Sequence, residues 1–566
     1  MTRPTTPGAA RLRAASILAC MVIGASTAAC GGARRPPLLP EPIAFIDTLP
    51  IAEPASRELM ETIRPYAAIV GSGASALNVR RWTGTTREAV NLTRFDDVVG
   101  SAWFKRRNGY RTMTADEVAR GPTTVGPDPA GPLRVVARSE GRTPGFTIED
   151  ARGDRYLLKF DPPGNPHLAT AADVITSRLL YAAGYHTPEN YIVRLDPDRL
   201  VTEPDAGVTP DEVPAILDAV ARLPDGRLIA MASKYLPGTP KGPFRFEGRR
   251  GDDPNDHFYH QYRRELRGLF VLAAWLNHVE LHFGNTLDTY VAGRYLRHNL
   301  IDFGESLGSG TLGPLDVRAG RESNFDLAPV LARFVTLGFA RPAWSQGDTS
   351  TIHPSIGRLP TDEYDPADWR PRWSNAAFSH LTDRDGYWGA KLVAAFSDEQ
   401  IRAAVAEGGL SDPRAARTLG DMILYRRDRT VEYWYGRVSP IENVAIEVPP
   451  ASIGDTAGFR LTVSFDDLGI RDLGRSGAST TYRYRFRHEG LRIDLAGAAS
   501  AVDGTSRQAV SLVVPDLARS GGLEDSERIA VLEVVVVRDG GDPRAARVHL
   551  ALDPSGREYG VVGLEH

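Results

Sequence analysis

The stretch that decides the fold runs from Asn277 to Gly304 and reads NHVELHFGNTLDTYVAGRYLRHNLIDFG. It places a carboxylate at Glu280 and an amide five residues later, at Asn285. The segment YLRHNLI is strand-like and leads into the tripeptide Asp302-Phe303-Gly304. Carboxylate and amide oxygens are ligands that suit Mg²⁺. The order of acid, Asn, short hairpin and Asp-Phe-Gly therefore predicts a site that holds a metal ion and orients a reacting group.

Three short apolar runs precede this stretch: LRVVARS, FTIED and RYLLKFD, beginning near Gly131. Gly and Pro separate them, which predicts three strands joined by turns. Lys159 lies near the end of the third strand. The turn after the first strand contains Gly141 and Gly145, the candidate backbone contacts to a nucleotide phosphate, although it lacks the G-x-G-x-x-G pattern.

The run ATAADVITSRLLYAAGY has apolar residues at helical spacing, with Gly184 as a stop signal. Its single acid, Asp173, is the candidate partner of Lys159. The alternative is that Lys159 is a solvated strand residue and that Asp173 only favours the helix N-terminus. Further on, the segment from Gly226 to Gly238 alternates and then breaks, as a strand entering a hinge between two lobes would.

The segment RRELRGLFVLAAWLNHVE predicts an amphipathic helix that delivers Glu280 to the start of a loop. From Glu280 onward the chain resembles the atypical branch of the protein-kinase-like superfamily, which includes phosphatidylinositol kinases, HipA-type bacterial kinases and secretory-pathway kinases. Those proteins carry Asp-x-x-x-x-Asn or Asp-x-His-x-x-Asn, then a hairpin and an Asp-containing metal motif. The matching residues here are ELHFGN at 280–285 and IDFG at 301–304. The resemblance covers Gly131 to about Val438.

This resemblance implies a two-lobed fold and transfer of phosphate from ATP, or another nucleotide, with Mg²⁺. It implies that Asn285 and Asp302 bind the metal, and that Lys159 and Asp173 form the phosphate-positioning pair. It further implies that Glu280 orients or deprotonates the acceptor. It also implies that His282, in the segment ELH at 280–282, structures the loop or faces a phosphate.

Glu280 departs from the family pattern, which has Asp at this place. Its carboxylate reaches about one C–C bond farther, and a misplacement near 1 Å can reduce a rate about a hundredfold. Two alternatives to a kinase therefore stay open on the same fold: a catalytically inactive pseudokinase that serves as a binding scaffold, and a nucleotidyl transferase. A third reading is a metal site formed by His278, Glu280 and His282, although their alternating spacing suits a strand rather than a zinc-binding helix.

The N-terminus has Arg3, Arg11 and Arg13, an apolar segment and then small residues before Cys30. This order predicts a signal peptide over residues 1–29. Cys30 after small residues resembles a bacterial lipobox and is the candidate lipidation site, with Cys20 as the alternative. We expect a protein lipid-anchored to a bacterial membrane in the cell envelope, facing the periplasm or exterior; plain secretion and an uncleaved anchor are the other possibilities. Cleavage before Cys30 would leave a single cysteine and no disulfide.

The predicted domain order continues with a Pro/Gly-rich tether over 30–54 and a lead-in region over 55–130. The kinase-like domain covers 131–438, with an N-lobe at 131–238 and a C-lobe at 239–438. Three helices are predicted between residue 388 and Val438, with Ser397 and Asp412 as N-caps. From Ile441 the apolar pattern alternates through seven runs, which predicts an antiparallel β-sandwich of immunoglobulin or fibronectin-III style over 441–566.

The predicted fold class is thus α+β, a two-lobed protein-kinase-like domain followed by an all-β sandwich. The chain has 566 residues, of which 42% are hydrophobic and 24% are charged, with a formal net charge of −4. Nucleic acid is therefore a poor candidate partner. The expected partners are an unidentified acceptor, protein or small molecule, a membrane through the N-terminal lipid, and a cell-envelope component for the sandwich.

Overall fold

The computed structural model describes residues 46–57, 87–139, 143–202, 207–209, 211–324, 351–447, 459–515, 522–538, 543–556 and 558–566. The predicted signal segment, Cys20, Cys30 and Gly141 lie outside these ranges. Residues from Glu41 to His566 form one compact unit. Within the described ranges, no helix combines the length and the apolar character that crossing a membrane requires.

The first half of the chain contains a helix, a six-stranded sheet and a long buried helix. The elements in order are α1 (Ala115–Arg120), β1 (Leu133–Arg138), β2 (Gly145–Glu149), β3 (Arg155–Phe160), α2 (Leu168–Ala183), β4 (Asn190–Leu195), β5 (Leu200–Thr202), α3 (Glu212–Leu217), β6 (Leu228–Lys234), β7 (Thr239–Pro240), α4 (Arg264–Leu276), β8 (Thr286–Val291), β9 (Tyr295–Leu300), β10 (Ser309–Gly310) and β11 (Gly313–Pro314).

The second half begins with helices and ends with strands. Its elements are α5 (Ala376–Ser379), α6 (Asp383–Ala394), α7 (Asp398–Ala406), α8 (Pro413–Tyr435), β12 (Ile441–Glu447), β13 (Phe459–Asp467), α9 (Leu468–Leu473), β14 (Thr481–His488), β15 (Ile493–Ser500), β16 (Arg507–Val514), β17 (Ile529–Val537), β18 (Ala546–Leu552) and β19 (Tyr559–Glu565). The predicted N-caps are confirmed, because the side chains of Ser397 and Asp412 accept hydrogen bonds from the first turns of α7 and α8.

The six-stranded sheet has the order β4-β6-β3-β2-β1-β5, and all its pairs are antiparallel except β1 with β5. Side chains alternate between the faces of a strand. On β3, Tyr156, Leu158 and Phe160 point into an apolar core on one face. Leu157 and Lys159 consequently lie on the other face. The three strands predicted from Gly131 onward are confirmed, and their register places Lys159 opposite Gly145.

Helix α2 packs against β3, β4 and β6 and carries Asp173. Its N-terminus is capped from outside the helix, because the Asp161 carboxylate accepts hydrogen bonds from three backbone N–H groups and from the Thr170 hydroxyl. At the other end, Gly184 has φ of 129° and donates to Leu180 and Tyr181. The predicted helix and its stop are therefore confirmed.

Helix α4 is buried along its whole length, whereas the sequence predicts one apolar face. Its polar side chains meet buried opposite charges: Arg264 contacts Asp96 and Asp385, each at 2.8 Å or less, and Arg267 contacts Asp385 at 3.0 Å. A polar face can be buried when each charge has a partner. The helix thus forms the centre of the largest core and delivers its C-terminal end to the loop that begins at Asn277.

The described residues 87–130 of the lead-in region contribute side chains to this same core. The Trp103 ring stacks on His298 with centroids 3.5 Å apart, and Phe104 lies against Trp388 and Tyr185. These contacts join residues before the six-stranded sheet to β9 and α6. Residues 87–130 therefore share one core with helices α4 to α8, and we call this part of the molecule the helical half.

The C-terminal strands form two antiparallel sheets, β12-β13-β16 and β15-β14-β17-β18-β19, whose inner faces share one core. Phe465 and Tyr482 meet across this core with ring centroids 5.0 Å apart. The last strand, β19, was not predicted, because its sequence YGVVGLE is interrupted by two glycines. The immunoglobulin or fibronectin-III likeness stays a prediction.

Candidate active site

Lys159 of the six-stranded sheet contacts Asp302, which follows β9. The Lys159 Nζ atom lies 2.6 Å from Asp302 Oδ1. The lysine side chain is 14% exposed and the aspartate side chain 44% exposed, so the amine is enclosed while the carboxylate faces open space. Burial opposes the charge of Lys159, but Asp302 and Asp173 outweigh it and raise the lysine pKa. The site thus presents an anchored carboxylate that a cation can approach.

Asp302 adopts the left-handed backbone region, with φ of 62°. A non-glycine residue there is uncommon, and such residues cluster at functional sites. Partial desolvation by surrounding atoms raises the pKa of Asp302, but the neighbouring Lys159 amine more than offsets this and lowers it. The carboxylate is therefore ionised at neutral pH, as a metal ligand must be.

Asp173 lies beside this pair but does not form the predicted ion pair with Lys159. Its Oδ1 accepts a hydrogen bond from Asn190 Nδ2 at 2.6 Å, and its Oδ2 accepts one from the Phe303 backbone N–H at 3.3 Å. Burial raises the pKa of Asp173 to about 7, with Lys159 opposing and Asp302 adding to the rise. Asp173 thus supports the Asp-Phe-Gly turn from behind, while Asp302 takes the direct contact with the amine.

The loop from Glu280 to Asn285 is closed by its own hydrogen bonds. Asn285 Nδ2 donates to the Glu280 carbonyl at 3.0 Å, and His282 Nδ1 accepts from the Gly284 N–H at 3.0 Å. The Ile301 N–H donates to the Asn285 carbonyl at 3.0 Å, which places Asn285 next to the residue before Asp302. The loop therefore brings acid, amide and Asp-Phe-Gly turn to one place, and His282 acts as a cap within it.

Glu280 forms an ion pair that the sequence did not predict. Its Oε1 lies 2.9 Å from Arg372 Nη1, and the same nitrogen contacts Glu305 Oε2. Burial raises the pKa of Glu280 to about 7, with Glu305 adding to the rise and Arg372 opposing it. A carboxylate with a pKa near neutrality is suited to general base catalysis.

His278 lies in the core beside the Asp-Phe-Gly turn. It is buried, its ring packs edge-on to Phe303 at 5.7 Å between centroids, and burial lowers its pKa to about 4. Across the described ranges, no group of three or more His, Cys, Asp or Glu side chains is arranged to hold a metal. The third reading, a site of His278, Glu280 and His282, is therefore wrong.

Asn285 and Asp302 fit the donor set for Mg²⁺ with a nucleotide. Since the Asn285 amide nitrogen bonds to the loop, its carbonyl oxygen is the group that can ligate a cation. Mg²⁺ is commonly bound by one or two protein oxygens together with phosphates and water. Two oxygens are enough for a metal that arrives with a nucleotide.

Gly145 lies directly opposite Lys159 in the ladder of β2 and β3. A Cβ atom at this position would come within 2.2 Å of the Leu158 carbonyl oxygen, so the close approach of the two strands requires glycine. The structural role of Gly145 is thus clear, and its contact with a phosphate stays a prediction.

Three residues of the site were missed from sequence. Glu305 follows the Asp-Phe-Gly turn directly, so an acid at that place was a usable signal. Asn190 opens β4, and Arg372 lies 92 residues after its partner Glu280 in a segment rich in Pro and Trp. Neither of these two carried a pattern that could have marked it.

No protein-family model matches the chain, and no curated protein matches it. Among solved structures, the chain is similar to CtkA, a proinflammatory kinase of Helicobacter pylori, with 11% identity, 52% of this chain and 92% of that chain covered, and a TM-score of 0.27. It is also similar to a Golgi casein kinase with Mn/ADP bound, with 11% identity, coverage of 56% and 74%, and a TM-score of 0.30. A further structure of the Golgi casein kinase gives 10% identity, coverage of 71% and 92%, and a TM-score of 0.29. Scores this low carry no argument, so the function is argued from the contacts of the site.

Proposed function

We propose that this protein has a two-lobed kinase-like domain that transfers the γ-phosphate of ATP, bound with a divalent metal such as Mg²⁺, to an acceptor hydroxyl. The observation that carries the proposal is the 2.6 Å contact between Lys159 and Asp302. It joins an amine of the sheet to the metal-ligand candidate of the Asp-Phe-Gly turn, and the Asn285 carbonyl accepts a hydrogen bond from the N–H of Ile301, the residue before that turn. Catalysis of phosphoryl transfer depends chiefly on such positioning and charge.

Each residue has a role in this scheme. Lys159 would contact the phosphates, while Asn285 and Asp302 would hold a divalent metal that offsets the negative charge of the phosphates. The acceptor oxygen forms a bond to the γ-phosphorus as the bond from that phosphorus to the β,γ-bridging oxygen breaks, and the electron pair leaves with ADP. The proton of the acceptor hydroxyl passes to the Glu280 carboxylate or from there to water.

Calorimetric titration of ATP in the presence and absence of Mg²⁺ tests nucleotide binding. We expect Lys159→Met to weaken binding at least ~10-fold, because one partner of a charged contact is lost. We expect Asp302→Asn to abolish the strengthening of binding by Mg²⁺. The chain offers a matched control pair in the same sheet, since Lys234 contacts Asp154 at 3.0 Å on the opposite face. Lys234→Met and Asp154→Asn should leave the affinity for ATP unchanged.

Turnover then separates the kinase from its alternatives. Release of phosphate from γ-labelled ATP, or its transfer to an acceptor, supports the proposal. Binding without turnover indicates a scaffold, and labelling from α-labelled ATP indicates a nucleotidyl transferase. Absence of any ATP binding by the wild-type protein at millimolar concentration would rule out the kinase and the nucleotidyl transferase and leave only a scaffold that recognises another ligand or partner.

Export and a lipid anchor on Cys30 are part of the proposal and rest on the sequence. In a bacterial host, a fatty-acid label should be incorporated into the wild-type protein and not into Cys30→Ala. Labelling that persists in Cys30→Ala and disappears in Cys20→Ala would move the anchor to Cys20.

A further inference from the structure

We propose that Arg372 is a positioning residue that fixes the Glu280 carboxylate for the acceptor, together with Glu305. The inference rests on the proposed function and deepens it on the acceptor side. Its basis is a cluster of one guanidinium and two carboxylates at the mouth of the loop, with side chains that are 26%, 25% and 16% exposed for Arg372, Glu280 and Glu305.

Backbone hydrogen bonds hold Arg372 next to the loop that contains Glu280. The Arg372 N–H donates to the Val279 carbonyl at 2.9 Å, and the Arg372 carbonyl accepts from the Asn324 N–H at 2.9 Å. The backbone of Arg372 is therefore attached to the residue directly before Glu280. Its guanidinium then bridges from Glu280 Oε1, at 2.9 Å, to Glu305 Oε2.

Glu305 is held in turn by the segment after the Asp-Phe-Gly turn. Its Oε1 accepts a hydrogen bond from the Thr311 hydroxyl at 3.1 Å. Because Glu305 lies three residues after Asp302, the bridge links the acid of one loop to the metal-ligand turn of the other. Displacement of one loop would therefore shift the other loop through the two ion pairs of Arg372.

This bridge gives a physical reason for Glu rather than Asp at position 280. Glutamate has one more rotatable bond than aspartate, and its free side chain would lose rotamer freedom when it orients an acceptor. An Arg donor in a fixed position restricts that freedom in advance, which is pre-organisation. Aspartate at 280 would be about one C–C bond too short to reach the same donor.

These contacts also argue against the alternative that Arg372 prevents the Glu280 carboxylate from reaching an acceptor. The backbone of Arg372 is hydrogen-bonded to Val279 and Asn324, and its guanidinium contacts one oxygen of the Glu280 carboxylate. The Oε1 atom of Glu280 is the one that contacts Arg372, which leaves its second oxygen for a proton.

The test uses water as the acceptor and ATP with Mg²⁺ as the substrate, because the physiological acceptor is unidentified. We expect Arg372→Ala to lower kcat for ATP hydrolysis about 10- to 100-fold with KM for ATP within about threefold. Arg372→Lys should recover part of the loss, since an ammonium can contact one carboxylate but cannot bridge two. Arg370→Ala, two residues away and bonded to the carbonyls of Ala367 and Trp369, is the matched control and should retain wild-type kcat.

The decisive readout is a double-mutant cycle with Glu280→Asp. If Arg372 acts through Glu280, Glu280→Asp lowers kcat in the wild-type background, and the same change lowers it much less when Arg372 is already Ala. Equal effects in both backgrounds overturn the inference, as does a rise in kcat for Arg372→Ala or a loss confined to KM.

If Arg372→Ala fails to fold, Arg372→Lys and Glu305→Gln take its place in the cycle. A wild-type protein that binds ATP but hydrolyses none overturns the proposed enzyme itself, and the inference with it.

Discussion

Ionisation of Asp173 should lower the stability of this protein as the pH rises. Mutation of Asp173 isolates this contribution. Burial raises its pKa from the usual 3.8 to about 7. The folded protein therefore keeps a proton on Asp173 over a pH range in which the unfolded chain has released it. By linkage, this contribution to stability is fully present below the unfolded pKa and is lost as pH rises through the folded pKa.

The size of the effect follows from the shift. A difference of about three pKa units corresponds to ~4 kcal/mol in total, at roughly 1.4 kcal/mol per unit. Between about pH 5 and about pH 8, roughly 3 kcal/mol of this is lost. Asn at position 173 cannot ionise, so Asp173→Asn removes the dependence. Any hydrogen bond that Asn makes less well with Asn190 or Phe303 gives an offset that is the same at both pH values.

Urea unfolding, followed by tryptophan fluorescence at the two pH values, measures the effect. We expect the free energy of unfolding of Asp173→Asn minus that of wild type to increase by roughly 3 kcal/mol from the lower to the higher pH, because only wild type loses stability. Titration of other groups cancels in this comparison. Glu399→Gln, an exposed acid in the first turn of α7, is the control and should show no such trend. A difference between Asp173→Asn and wild type that stays constant within ~0.5 kcal/mol would show that Asp173 is already ionised in the folded protein at the lower pH, and the account of the charges of the site would be wrong.

Two further changes test the packing around the site. Gly145→Ala should destabilise the protein by about 1–3 kcal/mol, because the added methyl group would lie 2.2 Å from the Leu158 carbonyl oxygen. Gly207→Ala, where no atom lies within 4 Å of the new Cβ, should change the unfolding free energy by less than ~0.5 kcal/mol, and an equal loss at both sites would contradict the strand register. Trp103→Ala should reduce stability by ~3–5 kcal/mol because the indole is buried, whereas Phe95→Ala at an exposed ring should have a small effect; comparable losses in urea titrations would show that the lead-in region does not share the core.

Local spacing explains why much of the candidate site could be predicted. The Asn285 side chain closes the loop on the carbonyl of Glu280, five residues earlier, and the hairpin of β8 and β9 needs only a short turn. Such contacts join residues that are close in sequence, so a local pattern can predict them. Lys159 was identified because the family that the sequence resembles carries a Lys at this place on the third strand.

What could not be predicted depends on tertiary register. Two carboxylates, Asp173 and Asp302, were within reach of Lys159, and the fold of the Asp-Phe-Gly turn decides that Asp302 makes the contact. The Arg372 contact spans 92 residues of sequence and involves a side chain type that is common on surfaces. Helix α4 was predicted to have a polar exposed face, and only the structure supplies the buried aspartates that neutralise its arginines.

The sandwich is joined to the rest of the molecule by charges that neither part could bury alone. Asp96 is buried, and its carboxylate accepts hydrogen bonds from Arg264 and Arg384 at 2.8 Å and from the His566 N–H at 3.1 Å. A chain truncated at Val438 would therefore lack a partner of the buried Asp96 carboxylate. Truncation would remove the contacts of His566 with the buried Asp96 carboxylate, so activity assays should use one polypeptide that contains both parts.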